Sequence, residues 1–330
     1  MDFDLTGIQR SWREKAQALG RALPDDAAAV DVLKGAARAG LLEPQADLVA
    51  AAVAVEALAS ESAAAAMAFA LHTAALIALR LRQGAGGQAG DDRVAALARG
   101  DAIGALSLSS EDVPSIEAGS LTGRASWVGP ITERGVAIVG AWQGGEITAC
   151  AVSLDATGVR VEPIRTSGLR GFVSGYVTFA GAPLVAAGEP ARIMAGARTL
   201  IAATALGIGG RALRESLAVA HRDRGAGGEQ TVQGLLADTA TELDAARLLT
   251  WKAAARTGPL SLADASMAKL AAAGAAQAAV VRATQVVGVD SFRRGHVIER
   301  LTQDVRAIEL FAGRTESLRE SVAYQELPRA

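Results

Sequence analysis

Apolar residues fall along this chain in three regimes. From residue 5 to about 82 they recur at three- and four-residue spacings, the period of buried and amphipathic helices, with short connections between runs. Asp25 and Asp26, just after Pro24, favour a helix start there through capping and the helix dipole. That helix carries Val30, Val32, Leu33, Ala36 and Ala37 and ends near Gly40. Leu42 to Pro44 breaks the pattern, and a long Ala-rich helix pair follows. Residues 84–91, GAGGQAGD, read as a Gly-rich loop. No strand precedes them and the Lys and Ser/Thr of a P-loop are absent, so they are not a phosphate cradle.

Between about 102 and 185 the period changes. β-Branched residues cluster in short runs punctuated by Gly, Pro and Asp: AIGALSLS, SLTGRASWVG, GVAIVGAW, GEITACAVSL, VRVEPI and GYVTFAG. Runs this short and close predict an antiparallel sheet or small barrel, with Pro183, Gly188 and Pro190 marking its exit. Helical spacing returns at Ala191. Val232, Leu235, Leu236, Thr239, Leu243, Ala246 and Thr250 share one helical face, which Thr257-Gly258-Pro259 terminates. Ser261 followed three residues later by Asp264 restarts a helix, Ala/Val-rich to about Gln285. A last helix carries Ile308, Leu310, Phe311 and Leu318. The fold class is therefore mainly α with a small β domain: an N-terminal helical domain (1–100), a middle β domain (101–188) and a C-terminal four-helix bundle (189–330).

Composition narrows the function classes. The chain has 330 residues, 33 Lys plus Arg against 35 Asp plus Glu, and a net charge of -2, without the basic excess of a nucleic-acid binder. Hydrophobic residues make up 50% but aromatic ones only 4%; Ala supplies the difference and favours helices. One cysteine, Cys150, rules out an internal disulfide and a Cys-cluster metal site, and three scattered histidines do not suggest a His-based one. Ser62 to Leu79 is barely long enough to span a bilayer and contains His72, so a buried helix is expected and no membrane partner. The N-terminus shows no apolar leader, which sets a cytoplasmic expectation.

The most specific stretch is Gln285 to Glu316, QVVGVDSFRRGHVIERLTQDVRAIELFAGRTE. Without a gap it resembles the Q-x-x-G-G-x-G-Y-x-R, V-E-R-L-x-R-D and I-Y-E-G-T pattern of the acyl-CoA dehydrogenases. ASMAKLAAAGAAQ (265–277), ELDAARLLTWKAA (242–254), ARTLIAATALGIG (197–209) and SLTGRASWVG resemble further segments of that family. The resemblance implies that family's fold, an acyl-CoA substrate and an FAD cofactor. It implies cofactor contacts at Arg222, Arg224, Gln230, Gln285, Gly288 and Arg294, and an acyl-CoA contact at Arg198. Glu299, Arg300, Asp304 and Arg306 are read as an ion-pair network holding helices together.

Desaturation of an acyl-CoA needs a carboxylate base at the α carbon. In the family that base is the Glu of Y-E-G-T, and here the motif reads Phe311-Ala312-Gly313-Arg314, so no catalytic residue is assigned. Glu242 and Asp244 lie near a second position that some relatives use, but are expected to face solvent. The T-E-P-x-x-G-S-D segment is replaced by one offering Ser107, Ser109 and Ser110 at another spacing. Trp127 matches the tryptophan of W-I-T, whose Thr is here Gly129, and is expected to pack rather than stack on flavin. The loop after Pro44 is cut out, and Phe-Gly is missing from HRDRGAGGEQ. These departures resemble the short, base-less subunit of α2β2 acyl-CoA dehydrogenases acting on steroid-derived CoA thioesters. The implied partner is a homologous subunit that carries the Glu and shares the FAD. A self-sufficient homo-oligomer with a displaced base, and a non-catalytic paralogue, stay open at this point.

Overall fold

The computed structural model describes residues 4–42, 47–84, 92–107, 111–132 and 134–327, without the side chains of Gln83, Arg224 and Ala226. Five helices come first: α1 (Gly7–Ala22), α2 (Ala29–Arg38), α3 (Leu48–Ala59), α4 (Ala63–Gly84) and α5 (Asp92–Arg99). α1 starts with a reciprocal cap, the Gln9 N–H donating to Thr6 Oγ1 and the Thr6 N–H to Gln9 Oε1, which satisfies two of the donors a helix start leaves free. The expected start of α2 at Asp25 and Asp26 is corrected. Ala28 is the N-cap, with no side-chain bond, and Asp25 pairs with Arg300 instead. α5 has no counterpart in the sequence reading. The Gly-rich run from 85 to 91, the chain break at Pro44, Ser109 and Ser110 lie outside the described residues.

α5 leads into eight strands: β1 (Ile103–Ser107), β2 (Ser115–Glu117), β3 (Ser120–Val128), β4 (Gly135–Gln143), β5 (Glu146–Ser153), β6 (Val159–Ile164), β7 (Ser174–Pro183) and β8 (Val185–Ala186). They run in the order β6-β7-β3-β2-β4-β5-β8, with β1 against β4. The sheet is mixed, not antiparallel: β1 pairs parallel to β4 from Ile103↔Gly135 to Ser107↔Val139, and β2 touches β4 in the same sense. Two chain reversals, at β2–β3 and β3–β4, lie between β1 and β4, so both point the same way. Val139, Cys150, Val152, Val177 and Phe179 fill the sheet's own core, where burial pushes the Cys150 thiol up to about 12.

The chain ends in α6 (Pro190–Arg222), α7 (Arg224–Gly228), α8 (Gln230–Ala254), α9 (Leu262–Val287), a 3-10 turn (Gly288–Phe292), α10 (Val297–Leu310) and α11 (Thr315–Glu326). Ser261 caps α9 as its spacing predicts, accepting from the Asp264 N–H. The single last helix is corrected to two, because residues 311–314 form a turn between α10 and α11. α6 packs closely on its neighbours because it is rich in small residues. A Cβ on Gly207 would sit 2.4 Å from Ala59 Cβ, and one on Gly209 2.5 Å from Leu243 Cδ2. Three helices are long and apolar enough to cross a membrane by length and composition. In the fold 78% of the α4 window and 89% of the α6 window are buried, against 39% for the window spanning α9 and the 3-10 turn.

The four residues read as an ion-pair network holding helices together reach partners outside the four. Arg300 reaches Asp25, Arg306 lies 3.4 Å from Glu309, Glu299 lies 4.0 Å from Arg170, and Asp304 accepts the Leu169 N–H at 2.5 Å. Glu299 and Asp304 tie α10 to the loop between β6 and β7, Arg300 ties it to the segment before α2, and Arg306 reaches the helix's own end. A one-dimensional pattern shows charges on a helix but not which element lies across from each.

His72 joins three elements. It is fully buried on α4, its Nδ1 accepts the Gly104 N–H of β1 at 2.9 Å, and its Nε2 lies 3.2 Å from the carbonyl of Leu97 on α5. These partners require the neutral ring with its proton on Nε2. Burial holds its pKa down at about 4. The unfolded histidine titrates near 6.5, so stability from this group is full above that value and is lost as pH falls toward 4. Between pH 7.5 and 5 the loss is about 2 kcal/mol. His72→Leu strands the Gly104 donor and Leu97 acceptor, costing about 2–4 kcal/mol at pH 7.5. It also removes that share of the acid dependence, as urea denaturation of both proteins at the two pH values checks.

Candidate functional site

The turn at 309–314 carries Ala312, and side chains from two other helices bond to its backbone carbonyls. Ala312 adopts φ 57°, a left-handed conformation that costs a non-glycine residue on the order of 1 kcal/mol. Gly313 follows at φ 117°, and a Cβ there would lie 2.9 Å from an Arg198 terminal nitrogen. Two buried cations hold this backbone from below. Arg198 on α6 donates through Nε to the Ala312 carbonyl at 2.9 Å, and through a terminal nitrogen to Ser266 Oγ at 2.7 Å and Ser321 Oγ at 3.2 Å. Lys269 on α9 donates through Nζ to the carbonyls of Glu309 at 3.0 Å and Gly313 at 2.5 Å.

Neither cation has a salt bridge among the described residues; their charge is met by carbonyl and hydroxyl oxygens. Burial lowers Arg198 to about 10. Burial, then the Arg198 charge, lowers Lys269 to about 7, against a smaller opposing pull from Glu309. The Glu309 carboxylate is itself engaged, accepting from Gln277 Nε2 and lying 3.4 Å from Arg306. The turn keeps its shape, then, while residue 312 presents only a methyl group.

Phe311 of this turn meets the β domain. Its ring stands edge-on to Trp127, centroids 6.1 Å apart at 82°, and to Phe172, 5.7 Å apart at 81°. Trp127, at φ 54°, remains 42% exposed. The space beside Gly129 is taken: a Cβ there would lie 2.7 Å from the Phe172 Cζ. Ser107 spends its hydroxyl on the Ser126 carbonyl at 2.7 Å. Glu242 and Asp244 are exposed and arginine-bound, Glu242 to Arg282 at 2.6 Å and Asp244 to Arg247, which lowers the Glu242 pKa.

A second feature lies at the far end of the bundle. A cleft of about 400 Å³ opens between the end of α6 (Glu215, Val219, Arg222, Asp223) and the segment after α9 (Val287, Asp290, His296). Arg222 is exposed and donates through Nε to the Ala218 carbonyl at 3.2 Å. His296 caps α10, its Nδ1 accepting the Ile298 N–H at 3.2 Å. Of the residues proposed for the cofactor, Arg222 lines the cleft, while Gln285, Gly288 and Arg294 sit on the segment that forms its wall. Gly288 ends α9 at φ 74°, which favours glycine. Gln230 is exposed at the first position of α8, and the Arg224 side chain lies outside the described residues. Arg198 lies beneath the 312 turn, 7% exposed. Sequence reasoning missed Glu215, Val219, Asp223, Val287, Asp290 and His296. Their signal was available: Glu215, Val219 and Arg222 share one helical face by spacing, and Asp290 and His296 fall inside the quoted motif.

Residues 191–327 match the family model for the acyl-CoA dehydrogenase C-terminal domain. This C-terminal domain belongs to the acyl-CoA dehydrogenase family. A probable acyl-CoA dehydrogenase of Bacillus subtilis is 31% identical over 199 residues, 55% of this chain and 52% of that protein. The matched stretch spans between about a quarter and about half the length of the curated relatives. Over the whole chain the fold is that of the solved acyl-CoA dehydrogenases. The butyryl-CoA dehydrogenase of Megasphaera elsdenii superposes at TM-score 0.85 with 20% identity, covering 99% of this chain and 100% of that one. A glutaryl-CoA dehydrogenase of Mycobacterium smegmatis solved in complex with FADH2 gives 0.82 at 18%, covering 99% and 96%.

The clamp makes a stability prediction. Lys269→Met keeps the stem but strands two buried carbonyls, so unfolding free energy falls by about 2–4 kcal/mol at pH 7. Ala312→Gly relieves the left-handed alanine and raises it by about 1 kcal/mol, or less where the freer unfolded chain offsets it. Guanidinium denaturation of both variants measures the pair of opposite signs.

Proposed function

We propose that this chain is the non-catalytic subunit of a hetero-oligomeric, FAD-dependent acyl-CoA dehydrogenase. Its partner is a homologous chain that carries the carboxylate base missing at Ala312. The observation behind this reading is the 312 turn itself: a strained backbone held by Arg198 and Lys269 that ends in a side chain unable to take a proton. In α,β-desaturation the α proton leaves to a positioned carboxylate, and bound FAD supplies the hydride-accepting chemistry.

The fit of this chain's residues to FAD differs between its two ends. At the seam of Trp127, Phe172 and Phe311 they do not fit a flavin ring. Gly129 offers no hydroxyl, Phe172 fills the space beside it, and residue 312 has no carboxylate. At the outer cleft they fit the polar, anionic end of the cofactor. Arg222 supplies a guanidinium for a pyrophosphate, Val219 and Val287 supply apolar walls, and His296 and Asp290 supply polar groups for a heterocycle edge. Arg294 on the same segment adds a further cation. In this reading the chain holds the adenylate end of a flavin whose reactive ring lies in the partner.

The outer face of α9 supports a partner chain. Val281 is exposed, and Val289 and Phe292 just beyond it are 84% and 76% exposed beside the cleft. Apolar residues grouped at a cofactor cleft are what an interface would cover. The shortened loops, read from the sequence, leave room in a shared site for a bulky acyl group such as a steroid-derived CoA thioester. The cytosol remains the expected compartment.

Co-purification tests the reading. The chain alone is expected to be colourless between 350 and 500 nm. With its partner it yields yellow protein with about one flavin per pair of chains, and Arg222→Glu in the assembly weakens flavin retention at least tenfold. Ala312→Glu in the lone chain is expected to give no turnover, because a base without a flavin seat has no hydride acceptor. Flavin bound at one per chain in the isolated protein, with acyl-CoA turnover, contradicts the proposal.

A further inference from the structure

Residues 165–173, the loop between β6 and β7, are gripped from three sides. On the bundle side, a Cβ on Gly168 would lie 2.6 Å from the Gln303 carbonyl oxygen of α10. The buried Leu169, left-handed at φ 54°, donates its N–H to Asp304 Oδ1 at 2.5 Å. Arg170 extends the attachment to Gln303 and Glu299. On the N-terminal side, Gly171 at φ 92° sits where a Cβ would meet the Ala27 carbonyl oxygen at 2.6 Å. On the β side, the Ile131 N–H donates to the Val173 carbonyl at 2.7 Å. Within the loop the Phe172 N–H closes onto the Leu169 carbonyl at 2.9 Å.

Everything in this grip aims one side chain. Phe172 is 4% exposed, fills the space a side chain at Gly129 would take, and meets the edge of Phe311. Beside it the Ser174 hydroxyl is fully buried, with no hydrogen-bond partner among the described residues. Loops that open for ligands are usually solvated and weakly attached. This one is fixed through backbone contacts at glycines that admit no side chain.

We propose that the β6–β7 loop is a permanent plug, with Phe172 occupying this chain's own interdomain seam and excluding any planar ring from it. The plug takes from the preceding section only that the seam is where a flavin ring would sit. The chain therefore contributes to cofactor binding at its outer cleft alone, and its β domain is joined to the bundle without a ligand between them.

Lumiflavin, the three-ring system without its ribityl phosphate arm, is the probe. The signal is Trp127 fluorescence, taken as the difference between wild type and Trp127→Phe. Wild type is expected to show no saturable quenching. The double variant Phe172→Ala/Phe311→Ala, folded by circular dichroism, is expected to bind at least tenfold more tightly. Saturable quenching in wild type overturns the plug, as does a folded double variant that excludes lumiflavin as well as wild type does. Should the double variant not fold, hydrogen exchange on wild type decides. Amides 168–173 are expected to exchange as slowly as those of α10, with or without lumiflavin, and faster opening of that segment overturns the proposal. The readouts use the lone chain, so their failure leaves the partner-subunit reading standing, and failure to find a partner leaves the plug standing.

Discussion

Two buried cations bonded to one turn of backbone set the character of this molecule. Arg198 and Lys269 rise from the first third of α6 and of α9 and meet the carbonyls of Glu309, Ala312 and Gly313. A buried charge without partners is severely destabilising, so these side chains need oxygen acceptors at fixed positions. The turn supplies them only when its carbonyls converge, which requires the left-handed steps at 312 and 313. Clamp and turn therefore depend on each other. The side chain at 312 takes no part in that dependence, because the two cations bond to the turn through its carbonyls.

That independence lets the turn keep its geometry whatever the side chain at 312. A Glu at 312 would contribute a carboxylate to the site but nothing to the clamp. Removing it leaves two helices, the turn and both cations satisfied. On the β side of the seam the space beside Gly129 is taken by Phe172, which also packs on Phe311. The turn is thus held without using the side chain at 312, and across the seam Phe172 packs on Phe311.

Much of the fold was legible because local rules decide it. Ser261 caps α9 by spacing, the face of α8 is buried from Thr239 to Thr250 as its period requires, and the β runs fall where β-branched residues cluster. What was not legible is non-local or hidden by residue type. β1 runs parallel to β4 because two reversals separate them, which no short window contains. The break between α10 and α11 falls at Ala312, and alanine, the best helix former, gives no sign of a left-handed residue. Asp25 looked like a helix cap but is drawn to Arg300, nearly the whole chain away.

The site divides in the same way. The missing carboxylate could be read directly, since a motif position either has an ionisable oxygen or does not. The cleft beside Arg222 could be read in part, because helical spacing puts Glu215 and Val219 on its face. The filled seam could not. It depends on Phe172 lying across from Gly129 and Phe311, three residues on separate stretches of chain whose meeting is decided by Gly168, Gly171 and Asp304. A missing group leaves a gap in a pattern, and a gap is visible in one dimension. Filling that gap in space takes a residue that a pattern places elsewhere. A substitution at a motif position is therefore easier to read from sequence than the packing of the residues around it.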